Sequence, residues 1–177
     1  FLPQVYAGKS ELALDSQLYF LVNRAEQLNP DRLARDKVFI TDYVFDKELI
    51  YAKRLLDGHQ LELYERVYPA FVRKVARPAL VIYLEDSPRN CLERIHGRNR
   101  PYEQTMKLGF LEALDGDYQR LFADWRASPV IRVPATKLTG YASDVVEHLV
   151  RQVRAYIALP PAESHGGSEN ADRKNNR

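Results

Sequence analysis

A chain of 177 residues, 45% of them hydrophobic, is long enough for one domain with a real core and fits no more than one. Its 26 Lys and Arg against 24 Asp and Glu leave a net charge of +2, which is no overall electrostatic footprint for nucleic acid, and one cysteine excludes a disulfide framework. No apolar run approaches the ~20 residues of a membrane span, no signal peptide is expected at the start, and a cytoplasmic setting is the default expectation.

The opening Phe1-Leu2-Pro3 carries no Met and reads like the middle of a longer sequence. Ala7-Gly8-Lys9-Ser10 imitates the end of a phosphate loop but lacks the first Gly and a preceding buried strand, so it reads as a chance match. From Ser10 to Asn29, Leu14, Leu18, Leu21, Val22, Ala25 and Leu28 form a helical stripe stopped by Asn29-Pro30. Gln17 and Arg24, two turns apart, fall near one face of that helix.

Lys37 to Thr41 reads as a short buried strand that ends at Asp42. Helices are expected over about Asp46–Leu56 and Gln60–Val75. Ala79 to Leu84 is a nearly unbroken apolar run, the mark of a parallel strand covered on both faces. Ser87-Pro88 then supplies an N-cap with Pro at the first helical position. On that helix Cys91 reads as a buried structural thiol. A helix over about Leu108–Trp125, a strand over Val130–Val133 and a helix over Ser143–Ile157 follow, with Tyr118, Phe122 and Trp125 spaced as a core stripe. Residues 159–177 lack apolar periodicity and are expected to be a disordered tail, with His165 solvated, behind a domain over 1–158.

The densest stretch is Arg94-Ile95-His96-Gly97-Arg98-Asn99-Arg100-Pro101-Tyr102-Glu103. Gly97 and Pro101 keep it from being plain helix, and three guanidinium forks can converge on one multiply charged anion. The bland alternative is a solvated helix end whose arginines pair with acids such as Glu93. Strands alternating with helices predict an α/β fold with a parallel sheet flanked by helices, and ligands in such sheets bind beyond the carboxyl ends of the strands. Asp42 and the segment after Leu84 both lie at expected strand ends.

Phosphoryl transfer needs cations around the migrating group, a metal, a base and positioning. Arg94, Arg98 and Arg100 could supply the cations. Asp42 could hold Mg²⁺, directly or through water, or could equally cap a turn. Gln17 offers a donor and an acceptor to a heterocycle and Arg24 a fixed fork beside it, although both also suit a plain polar helix face.

These residues resemble the deoxynucleoside kinase family, in particular its bacterial deoxyadenosine/deoxyguanosine kinase branch, over most of Phe1 to about Val133. The likeness rests on Gln17-Leu18-Tyr19-Phe20-Leu21-Val22-Asn23-Arg24, on Phe39-Ile40-Thr41-Asp42-Tyr43-Val44-Phe45-Asp46-Lys47 and, most specifically, on Cys91 to Gln104. The resemblance implies a P-loop kinase-like fold, ATP and Mg²⁺ as cofactors, and a deoxynucleoside acceptor, with deoxyadenosine or deoxyguanosine expected. It implies that Arg98 and Arg100 close over the donor phosphates and that Arg94 bridges donor and acceptor. Asp42 would be associated with the metal, Glu103 and Tyr6 would hold the sugar 3′-hydroxyl, and Gln17 would pair with the base edge. Arg24 would be supported by a downstream acid, Asp46, with Glu48 as the alternative. Pro134 to Lys137 would border the donor adenine. A homodimer without nucleic-acid or membrane partners is expected.

Two departures stand out. The family usually carries Arg after the strand-end acid, where this chain has Tyr43. The first strand, the phosphate loop of the form G-x-x-x-x-G-K-[ST] and the acid that acts as general base are not found, so the chain is expected to begin one strand and one helix late. Two rivals follow: a nucleotide-binding module without catalysis, and a nucleoside monophosphate kinase such as thymidylate kinase.

Overall fold

The computed structural model describes residues 12–34, 37–138 and 143–157. Helix α1 (Ala13–Gln27) buries Leu21 and Ala25 of the expected stripe together with Ala13, whereas Val22 is exposed, and Asn29 accepts a hydrogen bond from the Asp31 N–H (3.0 Å) as Pro30–Arg32 turns the chain away. Helices α2 (Lys47–Leu55) and α3 (Gly58–Val72) pack against α1. Asp57 and Gln60 begin α3 with a reciprocal capping box, which satisfies two backbone donors that the helix leaves open. Phe45, Ala52, Leu56 and Tyr64 complete the core of this helical layer, with the Phe45 ring stacked on Tyr68 at 5.8 Å.

Strands β1 (Val81–Glu85) and β2 (Val130–Pro134) are parallel, in register from Val81 opposite Val130 to Glu85 opposite Pro134. Parallel strands need a long crossover. Here it carries α4 (Pro88–Gly97) and α5 (Leu108–Ala123), which pack together. Ser87 caps α4 with its hydroxyl on the Asn90 N–H (3.1 Å) and Pro88 is its first residue, as the sequence predicts. Tyr118, Phe122 and Trp125 do form one apolar stripe: Phe122 lies 4.5 Å from the Tyr83 ring and 5.7 Å from Trp125. Arg54 of α2 bridges to α5 through the Asp117 carboxylate and the Ala113 carbonyl (3.3 Å), so the helical layer and the sheet layer are tied at that seam. Helix α6 (Ser143–Ile157) follows the short turn Ala135–Leu138 and touches it.

Two expectations are corrected. The strand expected over 37–41 does not form: Val38, Phe39 and Ile40 lie in irregular backbone, exposed at 52%, 49% and 94%. An apolar run becomes a strand only where a neighbour takes its backbone hydrogen bonds, and the two described strands pair with each other. Asp42 therefore stands in an exposed, irregular segment and not at a strand end. Second, β1 is covered on one face. Alternation turns Val81 and Tyr83 inward and leaves Ile82 and Leu84 on an open face. The arginine stretch is not plain helix, as expected: Gly97 is the last residue of α4, Asn99 takes a positive φ, and Pro101 opens a separate short turn of helix.

Candidate active site

The first cluster is built on α1 and α2. Gln17 and Arg24 share a face of α1, and Gln17 is almost wholly buried. Arg24 forms an ion pair with Glu48, whose side chain is also almost wholly buried. Its guanidinium is flanked by the rings of Phe20 (4.9 Å) and Tyr43 (5.2 Å), so the fork is fixed from its edge and its faces. The Tyr43 hydroxyl donates to Gln27 Oε1 (2.7 Å), and Lys47 Nζ lies 4.8 Å from the same ring.

Burial pushes the Glu48 carboxyl up, against the pull of Arg24. Burial pushes Lys47 down, and Arg24 adds to it. Glu48 Oε2 and the Tyr64 hydroxyl are buried without a hydrogen-bond partner, two polar atoms left open beside a fixed guanidinium. Such atoms cost stability unless something binds them.

Asp46 is not the partner of Arg24. It is the N-cap of α2, two residues before Glu48, and a two-residue step on a helix turns a side chain by about 200°. The acid that reaches Arg24 is the alternative, Glu48.

The second cluster is the arginine stretch. Helix α4 ends at Gly97, and Asn99 takes the left-handed conformation (φ 52°), which Asn tolerates better than most residues. This turns the chain into the short Pro101–Glu103 helix and folds Glu103 back under the two preceding arginines. Arg98 Nη2 lies 3.3 Å from Glu103 Oε2 and Arg100 Nη1 lies 3.5 Å from Oε1, while Glu103 itself is buried. Gln104 closes the loop by donating to the carbonyls of His96 (3.4 Å) and Arg100 (3.5 Å).

Arg94 goes elsewhere, to the buried carboxylate of Asp86 at the carboxyl end of β1. All three arginines thus face acids, but none of these is Glu93. Cys91, Arg94, Ile95, Gly97 and Arg98 border a shallow, open depression along one face of α4. Cys91 is only partly buried and accepts a long hydrogen bond from Arg94 (3.7 Å).

Asp42 is exposed, and no group of three or more His, Cys, Asp or Glu side chains converges among the described residues. A lone carboxylate suits Mg²⁺, which keeps several waters and takes only one or two protein carboxylates when phosphates supply the rest. Tyr6 and the Ala7–Ser10 segment lie outside the described residues, as does the tail over 159–177. Sequence reasoning missed Asp86. An acid directly before a Ser-Pro helix start, eight residues ahead of an arginine, is the signal that could have found it.

The family model for deoxynucleoside kinases matches residues 1–158. The chain is 32% identical over 122 residues to a deoxyguanosine kinase of Bacillus subtilis (strain 168), covering 67% of this chain and 59% of that protein. It is 30% identical over 139 residues to a deoxyadenosine kinase of Dictyostelium discoideum, covering 75% and 56%, and 25% identical over 133 residues to a mitochondrial deoxyguanosine kinase of Xenopus laevis, covering 68% and 50%. The chain therefore spans about half to three fifths of the length of these relatives.

Proposed function

The chain belongs to the deoxynucleoside kinase family, and from that premise we propose that the protein transfers the γ-phosphoryl group of ATP to the 5′-hydroxyl of a deoxynucleoside, deoxyadenosine or deoxyguanosine. The observation that carries the substrate side is the Gln17, Arg24 and Glu48 set. A buried amide and, two turns along the same face of the helix, a guanidinium locked by a carboxylate and two rings can together read the hydrogen-bonding edge of a purine.

In this reading Gln17 pairs with the base, Arg24 stands beside it in the orientation Glu48 fixes, and Glu103 holds the 3′-hydroxyl together with Tyr6. Arg98 and Arg100 hold the donor phosphates, and Arg94 spans donor and acceptor. Such cations lower the barrier because they meet the charge on the migrating group without reorganising. Asp42 would hold Mg²⁺, which when bound neutralises phosphate charge. The protein would work as a homodimer, a point that analytical ultracentrifugation decides.

The test is an assay of the natural full-length protein with ATP against the deoxynucleosides and their monophosphates. Turnover with a purine deoxynucleoside and none with a monophosphate supports the proposal, and a monophosphate preference overturns it in favour of a nucleotide kinase. Arg98→Ala or Arg100→Ala should lower kcat about a hundredfold with a smaller change in KM. Unchanged turnover in both would remove these arginines from the reaction.

A further inference from the structure

Arg94 differs from Arg98 and Arg100 in where its carboxylate comes from. Glu103 lies within the same turn as the other two, whereas Asp86 stands at the opposite end of α4, one residue past β1. Its carboxylate is held by other groups besides the arginine. Oδ1 accepts from the Ser87 backbone N–H (2.7 Å) and from Asn90 Nδ2 (2.7 Å), which leaves Oδ2 for Arg94.

Helical side chains lean toward the amino terminus, so an arginine reaching back two turns brings its guanidinium to the carboxyl end of the strand. Open parallel sheets bind their ligands there. The carboxylate is 5% exposed, but the guanidinium is 55% exposed, so it is anchored on one side and presented on the other. A five-donor fork can do both at once.

We infer that Asp86 is a positioning residue that aims Arg94 at the phosphate groups reacting beyond the end of β1. The inference rests on the kinase reading above. Capping of α4 does not explain Asp86, because Ser87 already performs it. Hydrogen bonds from Asn90 and then Arg94 hold the Asp86 carboxyl below the ordinary range, which suits a carboxylate that anchors a cation. Its effect is to restrict a long, flexible side chain to the orientation in which it is useful before the phosphates arrive.

The test is a cycle in the natural full-length protein: wild type, Asp86→Asn, Arg94→Ala and the double variant, each followed by kcat, acceptor KM and ATP affinity by titration. Asp86→Asn should lower kcat about tenfold with acceptor KM changed less than about threefold, and should do nothing further once Arg94 is gone. The same drop in both backgrounds would make Asp86 structural and overturn the inference, as would an unchanged kcat and ATP affinity in Asp86→Asn. Should Asp86→Asn not fold, Asn90→Ala frees the carboxylate to rotate while keeping its charge. It should reduce kcat in the wild-type background alone, and an unchanged kcat overturns the inference. Should no deoxynucleoside be phosphorylated, the kinase reading fails separately, and the ATP titrations still decide between coupled and independent residues.

Discussion

The Arg24 guanidinium and the Glu48 carboxylate meet across the α1–α2 interface with Glu48 almost fully out of water. Burial raises the folded-state pKa of Glu48 even with Arg24 in contact. A raised value means that Glu48 favours folding fully below its ordinary pKa and loses that contribution as pH climbs through the folded-state value. The neutral amide that a Glu48→Gln substitution introduces has no such dependence. Thermal unfolding of both proteins from about pH 4 to 7 should therefore show wild type losing ground to the variant as pH rises. A wild-type advantage that grows with pH would mean that the Arg24 charge outweighs burial.

Glu103 neutralises two arginines that the proposed reaction needs for the donor. In the absence of a nucleoside, Glu103→Gln should bind ATP about three- to tenfold more tightly, because Arg98 and Arg100 are released. The same variant should bind the deoxynucleoside more weakly. Titration calorimetry with each ligand alone checks both directions. An ATP affinity equal to wild type would show that solvent already screens these pairs.

Asn99 sets the path of the arginine stretch through its positive φ. Asn99→Gly should leave stability within about 0.5 kcal/mol, whereas Asn99→Val should cost about 1–2 kcal/mol, because a β-branched side chain clashes there. Chemical denaturation measures both. Equal stability of the two variants would mean that the turn re-forms by another route.

Asp117 ties α5 to Arg54 of α2, and the hydrogen bond from Arg54, helped by Arg120, holds its carboxyl below the ordinary range. A depressed value gives stability that is present above the ordinary pKa and lost as pH falls through the folded-state value. Asp117→Asn should thus lower the melting temperature at neutral pH and match wild type in strong acid. A deficit that persists in acid would point to packing at the seam instead of charge.

Much of the fold is legible in the sequence because its signals are local. Ser87-Pro88 announces a helix start by chemistry that needs no tertiary context, and the apolar spacing from Leu14 to Leu28 does the same for α1. The failures need information from a distance. Val38 to Ile40 has strand composition, but composition does not supply the partner that takes its hydrogen bonds. Asp46 and Glu48 are both acids near the required position, and only the phase of α2 separates them. Asp86 escapes notice because its partner lies eight residues on, beyond the i to i+4 spacing at which helical pairs are usually sought.

Ile82 and Leu84 on the open face of β1, with Val38, Phe39 and Ile40 also solvent-facing, bear on how the 177-residue chain behaves in a tube. Exposed apolar surface of this kind invites association between molecules. The apparent mass from light scattering should grow with protein concentration and fall back with mild detergent before any unfolding is detected.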